Sequence, residues 1–219
     1  VLEGGALTAR RTGAVSGVAT AALARFDADT VALLGAGRQG RAQLEAVACV
    51  RTLREARVFD LDPSAAARFA RELSPVIGLD IRPAADAATA LRGAAVVCAA
   101  TSSREPVFAD EDIAPGTHIN AVGVYQIDRA EVPPETVARA RVVVDRIDAA
   151  LEEAGDLVRP LSAGTIRREH IGTELGAVLA GTAEGRRSPG EVTLFKSVGL
   201  AVQDLYAATR QTFAAAPPL

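Results

Sequence analysis

The sequence predicts an α/β protein built on a doubly wound parallel sheet, and three observations favour this fold class. Short apolar runs typical of strands alternate with helical segments along the chain, as expected when helices cover both faces of a parallel sheet. The first run, residues 30–34, leads directly into Gly35-Ala36-Gly37-Arg38-Gln39-Gly40 and then into a predicted helix. Asp60 closes the next run, 20 residues after Gly40. This combination is typical of a Rossmann-like dinucleotide-binding domain, although a glycine-rich turn alone can be an ordinary strand-to-helix connection.

The glycine-rich turn and Asp60 are predicted to contact different parts of a dinucleotide. Gly35 permits the tight turn, Gly37 lets backbone N–H groups approach a pyrophosphate, and Gly40 allows the helix to pack closely on the strand. The N-terminus of that helix then faces the phosphate charge. The Asp60 carboxylate can accept hydrogen bonds from an adenosine ribose and repels a 2′-phosphate, so NAD is expected as the cofactor and NADP is the alternative.

The remaining elements follow in chain order. A helix is predicted over residues 8–24, where apolar side chains recur at helical spacing. Asp62 as N-cap and Pro63 at the first helical position indicate the start of the helix after the second strand. Beyond Asp145, glycine and proline interrupt helical segments, and a long final helix is expected over about residues 194–212. Strands are expected at residues 30–34, 56–60, 79–82, 95–99, 118–122 and 140–145.

Composition excludes several function classes. The 219 residues are 49% hydrophobic and 23% charged, without an apolar stretch of membrane-span length or a signal-like start, so we expect a soluble, cytoplasmic protein with no membrane partner. A net charge of −3 with scattered basic residues gives no reason to expect nucleic acid as a partner. Cys49 and Cys98 lie in predicted buried elements without metal-ligand spacing, so we expect inert core thiols and no metal site.

Two residue types are unusually scarce. The chain has no methionine, even at position 1, so we expect it to be a fragment or a processed chain. Lys196 is the only lysine among 24 basic residues, and any chemistry that requires a lysine in this chain must use it. Because Lys196 falls in the predicted final helix beside Ser197, its side chain is expected to point away from the site into solvent.

Three segments that follow or precede predicted elements can supply ligand contacts, because ligands bind beyond the carboxyl ends of the strands in this fold class. Thr101-Ser102-Ser103 offers hydroxyls to a cofactor or, alternatively, to a helix cap. Asn120-Ala121-Val122-Gly123-Val124 offers small residues to a nicotinamide ring or forms a tight turn. Ser197-Val198-Gly199 contributes to the site or is an ordinary helix start.

Longer motifs extend this pattern. Leu7-Thr8-Ala9-Arg10-Arg11-Thr12-Gly13-Ala14 is similar to L-T-x-x-R-T-x-A, and residues 193–204 are similar to T-x-F-x-S-x-G-x-A-x-x-D. Between them lie the glycine-rich turn with Gln39 and the segments 100–103, 119–123, 143–145 and 155–156. Through these motifs the chain resembles the ornithine cyclodeaminase and mu-crystallin family of NAD(P)-linked proteins over nearly all of residues 7–210.

The resemblance implies roles for individual residues. Arg11, which by itself would be interpreted as a surface arginine, is implied to contact both the cofactor phosphates and the substrate carboxylate. Val198 is implied to contact the substrate, with Ser197 beside the nicotinamide. The remaining implied cofactor contacts are Gly35, Gly37, Arg38, Gln39, Gly40, Asp60, Thr101, Ala121, Val122, Gly123, Val124 and Arg129.

The loop after the fifth predicted strand departs from the cyclodeaminases proper. In those proteins an aspartate in a G-G-D motif serves as catalytic acid and base, but Tyr125 occupies that position here. Asp128 lies three residues further on, so the catalytic acid is left open between Tyr125 and Asp128. The loop is more similar to the mu-crystallin and imine-reductase branches.

The resemblance also implies a further domain ahead of Leu7, which in the family supplies an arginine and a lysine to the substrate and most of the dimer contact. We therefore expect residues 1–28 to lead from that domain, residues 29–192 to form the NAD(P)-binding Rossmann domain, and residues 193–219 to return toward the missing part. The helices at both ends are expected to leave apolar faces uncovered. A homodimer through that domain is expected.

The activity implied by the resemblance is reduction of a cyclic ketimine, of the pyrroline- or piperideine-2-carboxylate type, or of a related imino or amino acid. Ornithine cyclodeamination, with loss of ammonia, is the alternative within the same family. A crystallin-like protein that binds a nucleotide or small ligand without turnover is the alternative from another functional class. Consumption of NADH distinguishes a reductase from a binding protein.

Overall fold

Seven parallel strands form the centre of the protein in the computed structural model, which describes residues 3–215. The strands are β1 (Thr30–Leu34), β2 (Glu55–Phe59), β3 (Asp80–Pro83), β4 (Val96–Ala99), β5 (His118–Ala121), β6 (Arg141–Val144) and β7 (Thr193–Lys196). Their order is β3-β2-β1-β4-β5-β7-β6, and every neighbouring pair is parallel. The predicted parallel sheet is confirmed.

Helices connect the strands, and the first of them packs against the second. The Asp62 side chain accepts a hydrogen bond from Ser64 N at the start of the third helix, and Pro63 occupies its first turn, as the sequence indicates. The helices of the described residues are α1 (Gly4–Leu23), α2 (Arg38–Val50), α3 (Pro63–Ile77), α4 (Ala87–Leu91), α5 (Pro134–Arg139), α6 (Ile147–Glu153), α7 (Gly155–Ser162), α8 (Leu175–Leu179) and α9 (Ala201–Ala215). Short 3₁₀ helices occur at Asp110–Asp112 and Arg168–Ile171.

The strand order reverses at β1, which pairs with β2 on one side and with β4 on the other. The chain runs outward from β1 through β2 to β3 and then returns to β4. Connections on the two sides therefore leave β1 and β4 in opposite directions and open a crevice beyond their carboxyl ends. This edge of the sheet is where a ligand site is expected.

The core lies on both faces of the sheet. Side chains of successive strand residues point to opposite faces, and β1 shows this directly: Val31 and Leu33 join one buried apolar cluster, whereas Ala32 and Leu34 join the other. Every residue of β1 is buried. Full burial of a valine or leucine side chain contributes about 1.5–3 kcal/mol, so the central strands form a rigid base for the loops at their carboxyl ends.

The last strand in chain order differs from the sequence prediction. Residues 193–196, assigned mostly to the final helix, form the buried strand β7 between β5 and β6. The final helix, α9, begins only at Ala201. Four residues are too few to show a strand period, and the pairing that defines β7 joins segments more than 70 residues apart at its β5 side. The division of the chain at residues 28 and 192 stays a prediction.

The two cysteines have different environments. Cys98 in β4 is fully buried, and burial raises the pKa of its thiol to about 12, which makes it the inert core thiol that was expected. Cys49 is exposed on α2, so its predicted burial was wrong. It lies near the end of an amphipathic helix whose inward face is formed by other positions, including Leu44 and Val47.

Residues 3–215 contain neither a helix of membrane-spanning character nor a cluster of metal-binding side chains. None of the helices within residues 3–215 combines the length and the apolar character needed to cross a membrane. In the same part of the chain, histidine, cysteine, aspartate and glutamate side chains do not gather into any group of three or more that could hold a metal ion.

Candidate active site

A cavity of about 310 Å³ lies at the carboxyl edge of the sheet. It is formed by α1, by the glycine-rich turn after β1 and by the segments that follow β5 and β7. The residues that line it are Thr8, Arg11, Thr12, Gln39, Val122, Gly123, Tyr125, Ser197, Val198 and Gly199. Most of these residues belong to the set implied by the sequence, so the fold brings together segments that are far apart along the chain.

The glycine-rich turn has the shape required to hold a phosphate group. Gly35 adopts a φ of +102°, which is accessible to glycine at little cost, and its N–H donates to Phe59 O over 2.8 Å. Gly37 is the N-cap of α2 and provides no side-chain cap. The backbone N–H groups of the first turn of α2 therefore remain available to an anion, and the helix dipole favours negative charge there.

Gln39 adds an unsatisfied acceptor to this site. Its Oε1 atom is buried and has no hydrogen-bond partner among the described residues, although the side chain lines the cavity. Buried polar atoms are nearly always paired in folded proteins. A ligand that brings a donor to this point would satisfy the Gln39 amide.

Asp60 lies at the end of β2 beside the turn. Its carboxylate accepts from Ala36 N at 2.8 Å and from Asp62 N at 3.0 Å, which places a negative charge at the edge of the phosphate-binding turn. A second cavity, of about 270 Å³, opens beside the turn between α2 and α3. Arg38, Arg41 and Arg68 line this second cavity, so positive side chains also lie beside the glycine-rich turn.

Arg11 is held inside the site rather than on the surface. Its side chain is only 14% exposed, and Nε lies 3.1 Å from Asp204 Oδ1 in α9. Nη1 donates to Gln203 Oε1 over 3.2 Å. These contacts orient a guanidinium group toward the cavity that Arg11 lines. A guanidinium in a fixed orientation is well suited to bind a carboxylate.

Residues 197–199 form a loop between β7 and α9, not the helix start that was expected. Asp145, which follows β6, organises this loop through one oxygen. Its Oδ2 accepts from Ser197 Oγ at 2.8 Å, from Val198 N at 3.1 Å and from Gly199 N at 2.8 Å. Asp145 was not predicted as a site residue. Its position directly after a buried strand was the available signal, because the carboxyl ends of parallel strands share one edge.

Lys196 is buried, contrary to the sequence prediction. Its side chain has no exposed surface, and Nζ forms an ion pair with Asp156 Oδ2 at 2.7 Å. The expectation of solvation failed because it assumed a helix, whereas in β7 this side chain points into the protein. The adjacent Glu131 is also buried, and burial raises the pKa of its carboxyl while the positive charge of Lys196 opposes that shift.

The two candidate acids lie in different places. Tyr125 lines the cavity and is 59% exposed. Asp128 is exposed as well, but its carboxylate lies 3.7 Å from Arg104 Nη1 and does not line the cavity. The structure therefore brings Tyr125, and not Asp128, to the cavity.

The other predicted cofactor residues surround the same edge. Thr101 Oγ1 accepts from Ser103 N at 3.2 Å, which forms a local turn and not the helix cap given as the alternative role, because no helix begins at this position. Arg129 Nη1 donates to Ser102 O over 2.8 Å, whereas its buried Nε has no partner among the described residues. Ala121 ends β5, and Val124 follows Gly123 as a buried residue.

The family model described as ornithine cyclodeaminase/mu-crystallin family matches residues 1–212. The chain belongs to this family. A Delta(1)-pyrroline-2-carboxylate reductase of Bacillus cereus (strain ZK / E33L) is 40% identical over 209 residues, which cover 95% of this chain and 64% of the relative. The ketimine reductase mu-crystallin of Mus musculus is 36% identical over 208 residues, covering 95% of this chain and 62% of the relative.

A solved structure of a family relative has the same fold. Thermococcus litoralis Delta(1)-pyrroline-2-carboxylate reductase, in complex with NADH and L-proline, superimposes with a TM-score of 0.92 at 40% identity. The match covers 97% of this chain and 68% of that chain. The family assignment made from the sequence motifs is confirmed. The chain spans about 64% of the length of the curated relative from Bacillus cereus.

Proposed function

We propose that the protein is an NAD(H)-dependent reductase of a cyclic ketimine that carries a carboxylate, of the pyrroline- or piperideine-2-carboxylate type, or of a closely related imino or amino acid. The observation that carries this proposal is the position of Arg11, which lines the same cavity as Gln39 of the glycine-rich turn and the backbone segment after β5. A guanidinium group that is suited to bind a carboxylate therefore lines the same cavity as the glycine-rich turn. The named activities of the Bacillus, Mus and Thermococcus relatives support the same reaction class.

The chain offers groups for each part of the cofactor. The first turn of α2 would bind the pyrophosphate, and Asp60 would accept from the adenosine ribose. Thr101, Arg129, Ser197 and the segment from Ala121 to Val124 would surround the nicotinamide end. The unpaired Gln39 Oε1 fits a ligand that donates a hydrogen bond there. When bound, the cofactor supplies the hydride that an imine carbon requires.

The protein's own residues bind and orient the substrate. Arg11 would hold the carboxylate, and Val198 would pack against the ring from the loop that Asp145 fixes. Tyr125 is the candidate proton donor on the cavity, with Asp128 as the alternative if the loop rearranges. Placing the imine carbon against the nicotinamide is an orientation effect, and orientation contributes a large part of such rate enhancements.

Reduction of a cyclic ketimine by the whole protein tests the proposal. NADH loss would be followed by absorbance with pyrroline-2-carboxylate or piperideine-2-carboxylate as substrate. The Arg11→Gln variant should lose about 100-fold in kcat/KM, since a charged hydrogen-bonding partner of the carboxylate is removed. Arg10→Gln is the matched control, because Arg10 precedes Arg11 on α1 but is exposed, and it should retain activity.

Two other outcomes would replace this proposal. Conversion of ornithine with release of ammonia and no net loss of NADH would identify a cyclodeaminase, which Tyr125 at the position of the family's aspartate disfavours. Saturable NADH binding without consumption of NADH by any of these imines would identify a binding protein. An assay of ammonia release from ornithine, together with NADH fluorescence and absorbance on the same samples, distinguishes all three functions.

We also propose that the whole protein is a homodimer and is cytoplasmic. Support for association comes from α9, where Val202, Leu205 and Tyr206 are 64%, 67% and 69% exposed. Exposed apolar patches of this kind are typical of surfaces covered by a partner or by another domain. The leading helix α1 packs on α2 and leaves on its other side an exposed, mostly apolar face that includes Ala14, Val18 and Ala21, with Val18 at 41% exposure.

A further inference from the structure

Three charged side chains are buried together beneath the cavity-lining segment that follows β5. Glu131, Asp156 and Lys196 are 0%, 1% and 0% exposed, and Lys196 Nζ lies 2.7 Å from Asp156 Oδ2. We call these residues the buried triad. Burial of an ion costs several kcal/mol in real proteins, and apolar replacements are often equally stable. A contribution to fold stability is therefore a weak explanation for all three charges.

Glu131 joins the ends of two neighbouring strands. Its Oε1 accepts from Thr101 N at 2.6 Å, directly after β4. Its Oε2 accepts from Gly123 N at 2.8 Å and from Val124 N at 3.2 Å, directly after β5. One carboxylate thus fixes the relative position of two loops that both face the proposed nicotinamide site.

Lys196 and Asp156 complete the arrangement. Lys196 Nζ donates to Val124 O over 2.5 Å, so the backbone of Val124 is held at its N–H by Glu131 and at its C=O by Lys196. Asp156 Oδ1 accepts from Glu131 N at 2.6 Å and from Val132 N at 2.9 Å, which fixes the segment that carries Glu131. Glu131 and Lys196 therefore contact the backbone of residues 123–124 directly, and Asp156 contacts the backbone at Glu131 and Val132.

Gly123 shows how closely the segment rests on the triad. A Cβ atom at this position would collide with the backbone of Thr101 and with the Glu131 carboxylate. Only a glycine lets the chain approach these groups so closely. No side chain separates the triad from the proposed nicotinamide segment, so a shift of the Glu131 carboxylate would move that segment directly.

We propose that the buried triad positions the segment from Gly123 to Val124 against the nicotinamide half of the cofactor, and that it has little influence on the adenosine half. The inference rests on the proposed NAD(H)-dependent function. The triad contacts named above end at Thr101, Gly123, Val124 and Val132, and none of the described hydrogen bonds joins the triad to the glycine-rich turn or to Asp60. Glu131, Asp156 and Lys196 are thus positioning residues that act through backbone groups.

The test compares two ligands that share the adenosine half. Dissociation constants of NADH and of ADP-ribose, which lacks the nicotinamide, would be measured for the 219-residue chain and for the variants Glu131→Gln and Asp156→Asn. Loss of a charged hydrogen-bonding group should weaken NADH binding by about 10- to 100-fold. ADP-ribose binding should change by no more than about threefold, because its contacts lie elsewhere. Glu135→Gln, an exposed position on α5, is the matched control and should leave both constants unchanged.

A purely structural role for the triad predicts a different result. Global loosening of the fold would weaken NADH and ADP-ribose equally, and equal weakening, or no change in either constant, would overturn the inference while leaving the proposed function intact. An unaltered chain that binds neither ligand would overturn the proposed function and this inference together.

A second measurement covers variants that do not fold, because it uses the unaltered chain. Amide hydrogen exchange at Thr101, Gly123 and Val124, whose N–H groups donate to Glu131, should slow by about tenfold more with saturating NADH than with saturating ADP-ribose. Equal protection by the two ligands would overturn the inference. Greater protection by NADH would support it even if the variants are insoluble.

Discussion

Arg11 Nε lies 3.1 Å from Asp204 Oδ1, so that the cation proposed to bind the substrate carboxylate already has a carboxylate partner of its own. The pair joins α1 to α9 at the cavity. Arg11 is 14% exposed and Asp204 is 37% exposed, so water screens this ion pair only in part. Asp204 can therefore hold the guanidinium in one orientation while leaving the end of the fork for a ligand.

Replacement of Asp204 by alanine is expected to raise KM for the imino acid by about tenfold and to change kcat by less than about threefold, since Arg11 loses its orientation but not its charge. Steady-state kinetics on the whole protein measure both constants. Asp27→Ala, at an exposed position that pairs with Arg25, is the control. A fall in KM would show instead that Asp204 competes with the substrate for Arg11.

Asp60 is expected to make NADH the tighter-binding cofactor. Its carboxylate would accept from the ribose hydroxyls of NADH and would repel the 2′-phosphate of NADPH. The Asp60→Ala variant should weaken NADH binding by about tenfold and NADPH binding by less. Fluorescence titration with each cofactor measures this difference. Tighter binding of NADPH to the unaltered chain would indicate that Arg38, Arg41 and Arg68 around the second cavity receive the phosphate.

The buried His118 is expected to make the protein sensitive to acid. Burial is the largest cause that lowers the pKa of its imidazole from 6.5 to about 3. Between these values the unfolded chain binds a proton that the folded chain does not, so the free energy of unfolding decreases as the pH falls. The contribution of neutral His118 to the free energy of unfolding is fully present above pH 6.5, the pKa of His118 in the unfolded chain, and is lost progressively as the pH falls below it.

A His118→Gln variant isolates this contribution. Between pH 7 and about pH 5 the unaltered chain should lose about 2 kcal/mol more stability than the variant. Urea unfolding at several pH values, each normalised to the value at neutral pH, gives the comparison. Parallel pH profiles for the two chains would mean that His118 accepts its proton in the folded state.

Association is expected to differ between the 219-residue chain and the whole protein. The 219 residues should associate weakly, because the family resemblance places most of the dimer contact in a further domain ahead of Leu7, whereas the whole protein should sediment as a dimer or larger oligomer. Sedimentation velocity at matched concentrations measures both. A tight dimer of the 219 residues would place the subunit interface on the Rossmann part of the chain.

The sequence could predict the sheet because its central strands carry local signals. Residues 31–34 and 96–99 are apolar throughout and are buried as expected, and the glycine-rich turn requires a strand before it and a helix after it. Arg11 could not be assigned from local sequence, since an arginine beside another arginine on a helix is usually solvated. Its role came from the resemblance to the family.

The buried charges at the site were not predictable from the sequence. They account for most of the difference between the predicted site and the site in the structure. Lysine and glutamate are almost never fully buried unless they are paired. Lys196 pairs with Asp156, which lies 40 residues earlier in the chain, and Glu131 accepts from Thr101 N, which lies 30 residues earlier. Local pattern contains no information on such pairs. Lys196 is buried because it lies in β7, a segment that the sequence pattern assigned to a helix.

The position of β7 has a consequence for how the protein is made. Synthesis proceeds along the chain, and β5 and β6 are complete long before residues 193–196 leave the ribosome. Among the described strands β6 pairs only with β7, so in a nascent chain the facing edges of β5 and β6 lack a strand partner until β7 inserts between them. Such edges are templates for aggregation. Insertion of β7 joins β6 to the rest of the sheet and brings Lys196 Nζ to Val124 O, so this carbonyl acquires its charged partner only after β7 has entered the sheet.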